Sequence, residues 1–370
     1  MVDVDILVVF GVRPEIIKMS RLFPLLDKNF KIYTIYTGQH FDNNMKNNLF
    51  SQMDIRWPNN QLDITSSNVE TMVEKINECI KLNNLNFKCV LAVGSSNSAV
   101  AGVTIADNFH KPFVHIGAGV RSFDYGIEDR NNKFIDKLST VCIAPTEIAK
   151  RNLENEGVKA SVYVTGALIY EVVDYYKPQA ILPDDGDFVL LTMHKQSNVD
   201  DKLKLSRIMR EVGKIAFNVI YPIHPRAADN LKNFGINVPV NISIIDPVPY
   251  FEMLGFMKKC KAVVTDSSTM QCECALLGIP CFTLRDSTDH PETIIAGQNF
   301  LVGQNFNLLD GYLRILEEDG FKARFCGFNM YGKDVGQKIV DVLNNDRDLK
   351  LFDIKIKHRT YLCLILNKFE

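Results

Sequence analysis

Residues 5–15 read Asp-Ile-Leu-Val-Val-Phe-Gly-Val-Arg-Pro-Glu. Asp5–Phe10 is an apolar run with no polar alternation, the pattern of a strand covered on both faces. Gly11 ends the run, and Pro14 opens a helical pattern carrying Ile17, Leu22 and Leu25. A buried strand, a short loop and an amphipathic helix form the first step of a βαβ unit. The step repeats. Strand runs at Lys31–Thr37, Cys89–Val93, Pro112–Ile116, Val141–Pro145 and Val162–Thr165 alternate with helical spacing at Val69–Leu82, Ala99–Phe109, Asn131–Leu138 and Thr146–Glu156. The rhythm predicts parallel strands with helices on both faces.

The polar stretch Tyr176–Gly186, with Pro178 and Pro183, predicts a linker. Beyond it the rhythm restarts. Strands are expected at Phe188–Thr192, Val219–Pro222, Ile242–Ile245, Ala262–Thr265 and Pro280–Leu284. Helices are expected at Lys202–Phe217, Ala227–Phe234, Tyr250–Lys258, Met270–Leu277 and Val335–Leu343. The fold class is therefore α/β, with two doubly wound domains over residues 1–175 and 187–345, and a tail at 346–370 that could pack back on the first. Open parallel sheets bind ligands beyond the carboxyl ends of their strands. Two such sheets predict a ligand cleft between them.

The 370 residues are 46% apolar and 23% charged, with 42 basic against 44 acidic side chains and a formal net charge of −2. This length suits two domains, and the apolar share excludes a disordered chain. Balanced charge gives no broad nucleic-acid surface. Cys79, Cys89, Cys142, Cys260, Cys272, Cys274, Cys281, Cys326 and Cys363 are odd in number and scattered through apolar runs. That pattern predicts reduced, buried thiols in a cytoplasmic protein. Cys272 and Cys274 flank Glu273 without a second Cys/His pair near by, so no metal site is expected there. Met1–Asp5 lacks the basic region of a signal peptide, and no apolar stretch nears the roughly 20 residues of a membrane helix.

Four strand-end loops carry chemistry. Gly11–Glu15 places Arg13, with Lys18 just beyond, at a helix start, where cations and backbone N–H groups form an anion site or, equally, an ordinary surface arginine. Thr265–Thr269 precedes a helix; Ser267 and Ser268 let a phosphate approach its first-turn amides or act as plain caps, and Glu273 one turn on can accept from paired hydroxyls. His194, at the end of the first strand of the second half, faces the cleft as a phosphate contact, a proton shuttle or a structural histidine, and His224 sits similarly. Gly117 and Gly119 permit close backbone approach, while Glu128, Asp129 and Arg130 read as acid–base groups or as a solvated charge run ahead of a helix.

In order along the chain stand Gly11–Glu15 with Lys18, Thr37–His40, His194–Asn198, Thr265–Glu273, Arg285–Glu292 and Tyr331-Gly332. Together they resemble the motifs of the non-hydrolysing UDP-N-acetylglucosamine 2-epimerases. Arg121-Ser122-Phe123-Asp124, Tyr170-Glu171-Val172 and His224-Pro225-Arg226 are similar to the branch acting on UDP-2-acetamido-2,6-dideoxy-L-hexoses. The resemblance implies two Rossmann-like domains arranged as in the glycosyltransferase-B fold, a UDP-sugar in the cleft, no nicotinamide or metal cofactor, and a homodimer. It implies that Arg13, with Lys18 close by, meets the diphosphate from one side and Ser267 and Ser268 from the other. Glu273 would hold the ribose, Met253 would lie near the uracil, and His194 would lie at the sugar–phosphate end. Ser95 and Arg121 fall in two further site loops and are assigned to substrate binding. The chemistry implied is cleavage of C1–O, loss of UDP and of the C2 proton to give a 2-acetamidoglycal, and return of both with C2 inverted.

The chain departs from the family at its acids. The family's His-Gly-Asp-Thr reads Val93-Gly94-Ser95-Ser96, so Ser95 stands for an aspartate; Glu-Ala-Gly-x-Arg reads Gly117–Arg121, so Gly117 stands for a glutamate. Pro-Glu-Glu-x-Asn-Arg reads Ile127–Asn132, which keeps Asp129, and Cys272 replaces one glutamate of Gln-Glu-Glu. The catalytic candidates are therefore Asp129, Glu128 and His194, with Asp124 a further acid in reach. The alternatives are a catalytically weakened UDP-sugar-binding protein, a hydrolysing relative, or a glycosyltransferase on the same fold.

Overall fold

The computed structural model describes residues 1–38, 49–64, 68–183, 187–303, 305–315, 325 and 327–348. Gln39 and His40 of the second motif, residues 184–186 of the expected linker, Cys326, Cys363 and the tail from residue 349 lie outside the described residues. The strands are β1 (Val2–Phe10), β2 (Ile32–Tyr36), β3 (Asn60–Gln61), β4 (Leu85–Val93), β5 (Phe113–Ile116), β6 (Val141–Ala144), β7 (Ser161–Val164), β8 (Phe188–Thr192), β9 (Asn218–Pro222), β10 (Ile242–Ile245), β11 (Ala262–Thr265), β12 (Cys281–Thr283) and β13 (Asn299–Leu301). The helices are α1 (Arg13–Asn29), α2 (Val69–Leu82), α3 (Asn97–Asn108), α4 (Ile127–Leu138), α5 (Glu147–Asn155), α6 (Ile169–Tyr176), α7 (Gln196–Val199), α8 (Lys202–Val212), α9 (Pro225–Phe234), α10 (Tyr250–Lys259), α11 (Ser268–Leu277), α12 (Pro291–Ile295), α13 (Phe306–Ile315) and α14 (Val335–Asp348).

Seven strands form one sheet in the order β3-β2-β1-β4-β5-β6-β7, and six form another in the order β10-β9-β8-β11-β12-β13. Every pairing is parallel. Parallel strands need covered faces, and the side chains obey. Ile6, Val8 and Phe10 enter one core cluster with α1, whereas Leu7 and Val9 enter another with α2 and α3. In the second sheet, Val189 and Leu191 point into one core and Phe188 and Leu190 into the opposite one. This two-sided burial is why the strands read as unbroken apolar runs. The strand order reverses between β1 and β4 and again between β8 and β11. At such switch points neighbouring loops diverge and leave a crevice. The loops beyond these four strands are Gly11–Glu15, Gly94–Ser96, Met193–Ser197 and Asp266–Ser268.

The division of the chain differs from the expected boundary at residue 345. Helix α14 packs on the first half: Val335, Ile339, Val340 and Leu343 join the core of α1 and α6. Gly336 N–H donates to Glu171 Oε1 at 3.0 Å, and Ala167 N–H donates to the Tyr331 carbonyl at 2.9 Å. The physical reason is the apolar face of α14, whose partners lie on α1 and α6 of the first half. Seven cysteines, Cys79, Cys89, Cys142, Cys260, Cys272, Cys274 and Cys281, are buried free thiols. Among the described residues no helix is long and apolar enough to cross a membrane.

Close packing behind the β5 loop yields a test. Gly119 has φ +76°, and a Cβ there would lie 2.1 Å from the Ala149 carbonyl oxygen. Gly157 has φ +66° with nothing within 4 Å. Gly119→Ala is expected to cost about 3 kcal/mol or more, and Gly157→Ala about 1 kcal/mol. Urea unfolding midpoints check this, and equal losses at both positions would refute the packing.

Candidate active site

The turn after β1 is fixed by its own helix. Glu15, buried in the first turn of α1, accepts from the N–H groups of Gly11 at 2.8 Å and Val12 at 3.3 Å. A Cβ at Gly11 would lie 2.0 Å from Thr37 Oγ1 and 2.1 Å from Ser98 Oγ, so the turn closes only over glycine. Arg13 and Lys18 follow on α1. Burial draws the Arg13 guanidinium below its ordinary value, and Glu273 and then Tyr250 of the second half pull it back. Burial lifts the Glu273 carboxyl to about 7 against the opposing pull of the Tyr250 hydroxyl, Arg13 and Lys18. Tyr250 Oη donates to Glu273 Oε1 at 3.0 Å. Two cations of α1 thus face a carboxyl of α11 and a phenol of α10.

In the second half a buried carboxylate joins the loops after β8 and β11. Asp266 accepts from His194 N–H at 3.1 Å, Lys195 N–H at 3.0 Å and Asn198 Nδ2 at 2.9 Å. Its Oδ1 also lies 3.2 Å from His194 Nδ1, which orients that ring. Ser267 caps α11 by accepting from Met270 N–H at 3.4 Å. The Ser268 hydroxyl is bonded to Asp289 and accepts from Arg285 Nη1 at 3.2 Å. Met253 on α10 packs half-buried on the β8–β11 core. His224 caps α9 by accepting from Arg226 N–H at 3.2 Å, and Arg226 pairs with Asp200.

Two ion pairs cross the cleft. Arg285 Nη2 lies 3.0 Å from Asp124 Oδ2, and Lys195 Nζ lies 2.9 Å from Glu128 Oε2. Gly94 and Gly117 end β4 and β5 with φ +78° and +90°, and the Ser95 carbonyl accepts from Asn131 Nδ2 at 2.9 Å. Asp129 is 2% exposed. Its Oδ1 accepts from Ser122 N–H at 3.1 Å and its Oδ2 pairs with Lys133 at 3.3 Å.

Two expectations need correction. Glu128 and Asp129 do not precede a helix that starts at Asn131; α4 begins at Ile127, so both acids lie in its first turn, where the helix dipole favours them. Arg121, assigned to substrate binding, is spent on structure. Its buried guanidinium bonds Asp136 Oδ2 at 2.8 Å, Glu156 Oε1 and Oε2 at 3.0 and 2.7 Å, and the Val120 carbonyl at 2.8 Å, all in the first half. The reason is the buried Asp136 carboxylate, which needs a cation. The structure brings Arg13, Lys18 and Glu273 together, and it sets His194, Glu128 and Ser268 on the cleft-forming loops. Sequence reasoning missed Asp266, Tyr250, His115 and Asp136. Asp136 lies seven residues after Asp129 on one face of α4, a readable sign; His115 was hidden inside an apolar strand run.

The family model for UDP-N-acetylglucosamine 2-epimerase matches residues 26–344. The UDP-N-acetylglucosamine 2-epimerase of Methanocaldococcus jannaschii is 33% identical over 327 residues, covering 80% of this chain and 88% of that protein. The UDP-2,3-diacetamido-2,3-dideoxy-D-glucuronate 2-epimerase of Pseudomonas aeruginosa is 34% identical, covering 80% of this chain and 88% of that one. The crystal structure of the M. jannaschii UDP-GlcNAc 2-epimerase in complex with UDP-GlcNAc and UDP matches with a TM-score of 0.81 at 31% identity, over 93% of this chain and 100% of that one. By its strand-end loops, its sheet topology and these relatives, the chain belongs to the UDP-N-acetylglucosamine 2-epimerase family.

Proposed function

We propose that this chain is a UDP-N-acetylhexosamine 2-epimerase. It breaks the C1–O bond, expels UDP, removes the C2 proton to leave a 2-acetamidoglycal, and returns both with C2 inverted. The observation that carries this reading is that Arg13 and Lys18 of one half lie within electrostatic reach of the buried, hydrogen-bonded Glu273–Tyr250 pair of the other. In this reading Arg13 and Lys18 meet the diphosphate, opposite Ser267, Ser268 and the first-turn amides of α11. Glu273 takes the ribose hydroxyls, and Met253 lies toward the uracil. Cations and amides aimed at a leaving diphosphate stabilise the charge it develops.

The C2 hydrogen has no carbonyl to acidify it, so a placed base is required. Asp129 is assigned that proton, with Glu128 beside it on the first turn of α4. His194, held at Nδ1 by Asp266, turns Nε2 to the sugar–phosphate end. Ser95 lines the site through its backbone. The substrate is a UDP-GlcNAc/UDP-ManNAc pair or the 2,6-dideoxy-L pair of the UDP-L-RhaNAc/UDP-L-QuiNAc type. The same reading has the protein act as a cytoplasmic homodimer. Ser95 and Gly117, where the family motifs carry acids, favour a second reading: a weakened UDP-sugar-binding protein or a hydrolysing relative. Fold alone does not separate these.

Turnover in heavy water separates them. Epimerisation predicts deuterium at C2 of recovered UDP-HexNAc by proton NMR. UDP raising the unfolding temperature with no exchange supports the binder, and free sugar released with UDP supports the hydrolase. Arg13→Ala is expected to weaken UDP binding about 10- to 100-fold by titration calorimetry; unchanged affinity removes Arg13 from the site. Glu273 supplies a pH test. Because burial holds it protonated below about 7, and ribose hydroxyls need an accepting carboxylate, UDP-GlcNAc affinity is expected to rise as pH increases through that value. Glu273→Gln should bind more weakly with no such rise; an unchanged pH profile in that variant assigns the rise elsewhere.

A further inference from the structure

We propose that His115 is a positioning residue for the C2 chemistry, tying the loop beyond β4 to the loop beyond β5 through Asp136. The inference deepens the epimerase reading and rests on it. His115 sits in β5 with its side chain fully buried. Its Nε2 lies 2.9 Å from the Gly94 carbonyl oxygen and its Nδ1 lies 2.6 Å from Asp136 Oδ1. A carbonyl oxygen only accepts, so Nε2 carries a hydrogen and donates it to Gly94. The second oxygen of Asp136 accepts from Gly119 N–H at 3.0 Å and from Arg121 Nη2 at 2.8 Å. One imidazole and one carboxylate therefore hold Gly94 and Gly119 at once. Arg121, clamped by Glu156, closes the network.

What these loops carry explains the need. Gly94 leads into Ser95 and Ser96, the turn opposite the Arg13 turn at the β1–β4 switch point. Gly117 and Gly119 bracket the turn beyond β5, and Asp129 reaches the same loop by accepting from Ser122 N–H at 3.1 Å. Neither Ser95 nor Gly117 offers an acid. On this side of the cleft, placement of the sugar against Asp129 falls to backbone, and backbone at two left-handed glycines keeps its course only if something holds it. His115 and Asp136 do so from beneath, without touching the substrate. A displacement of about 1 Å at a reacting centre can cost about 100-fold in rate.

Two substitutions divide the tie. The amide nitrogen of a glutamine can take the place of Nε2, and that of an asparagine the place of Nδ1. His115→Gln keeps the donor to Gly94 and gives up Asp136; His115→Asn does the reverse. Each variant severs the tie at one end, so the expected result in both is a fall of about 10- to 100-fold in kcat for C2 exchange, with KM and UDP affinity unchanged. Parental kcat in either variant, or losses that follow the unfolding temperature, would overturn the proposal. Nitrogen-15 NMR of the histidine rings in the unsubstituted protein tests the tie without turnover. A protonated, exchange-protected Nε2 is expected, and an unprotonated Nε2 overturns the assignment whatever the variants do. If the unsubstituted chain exchanges no C2 proton with any UDP-HexNAc, the epimerase reading fails, while the ring-nitrogen result still decides whether the tie exists.

Discussion

Two carboxylates that water does not reach, Asp136 and Asp266, hold the site loops of the two halves. Both are fully buried. A buried charge costs several kcal/mol unless donors surround it, and each of these is surrounded. Asp136 gathers His115, Arg121 and the Gly119 N–H. Asp266 gathers the N–H groups of His194 and Lys195, the Asn198 amide and the His194 ring. Each carboxylate thus couples one histidine to the backbone of a strand-end loop. The two halves share no visible sequence repeat, yet they meet the same demand with the same parts. A parallel sheet ends in loops that have no ladder to join, and a satisfied buried acid gives those loops a fixed origin.

The contacts across the cleft are of another kind. The Arg285–Asp124 pair is the better shielded, with side chains 6% and 35% exposed, and Lys195–Glu128 is more open at 21% and 55%. Pairs in such partly hydrated settings contribute on the order of 0–1 kcal/mol each. They favour approach of the halves without locking it. The firm contacts between halves lie away from these rims. Tyr250, Leu254 and Cys272 of the second half join the core of α1, α6 and α14, and Tyr331 Oη lies 2.9 Å from Cys272 Sγ. Closure over a ligand can therefore rearrange the rim while the apolar base stays intact.

Much of the fold is legible because two-sided burial forces apolar runs. β8, β10 and β11 coincide with their expected residues, and α2 does likewise. Much of what escapes is too short for periodicity to register, as β3, β13, α7 and α12 span five residues or fewer, but α6 and α13, with 8 and 10 residues, also go unread. Helix α8 stops at Val212 because Gly213 follows it, although apolar residues continue to Phe217. What is legible is charge at or within a turn or so of a helix that follows a strand end, as at Arg13, Lys18 and Glu273. Charge is not legible where its partners lie far off in the chain and only folding brings them together. Arg121 reads like its neighbours in sequence, yet only the fold reveals Asp136 and Glu156 waiting behind it. His115 is likewise concealed, because a polar residue inside a strand shows its purpose only through the carbonyl and carboxylate it meets.

The chain passes between the halves twice, once beyond α6 and once on entering α14. The second passage is stitched to Ala167, just before α6, and the first departs from the other end of that helix. Eight residues of helix set these tethers about 12 Å apart. One tether would leave relative rotation of the halves unrestricted; two at that separation confine any such rotation to the axis that joins them.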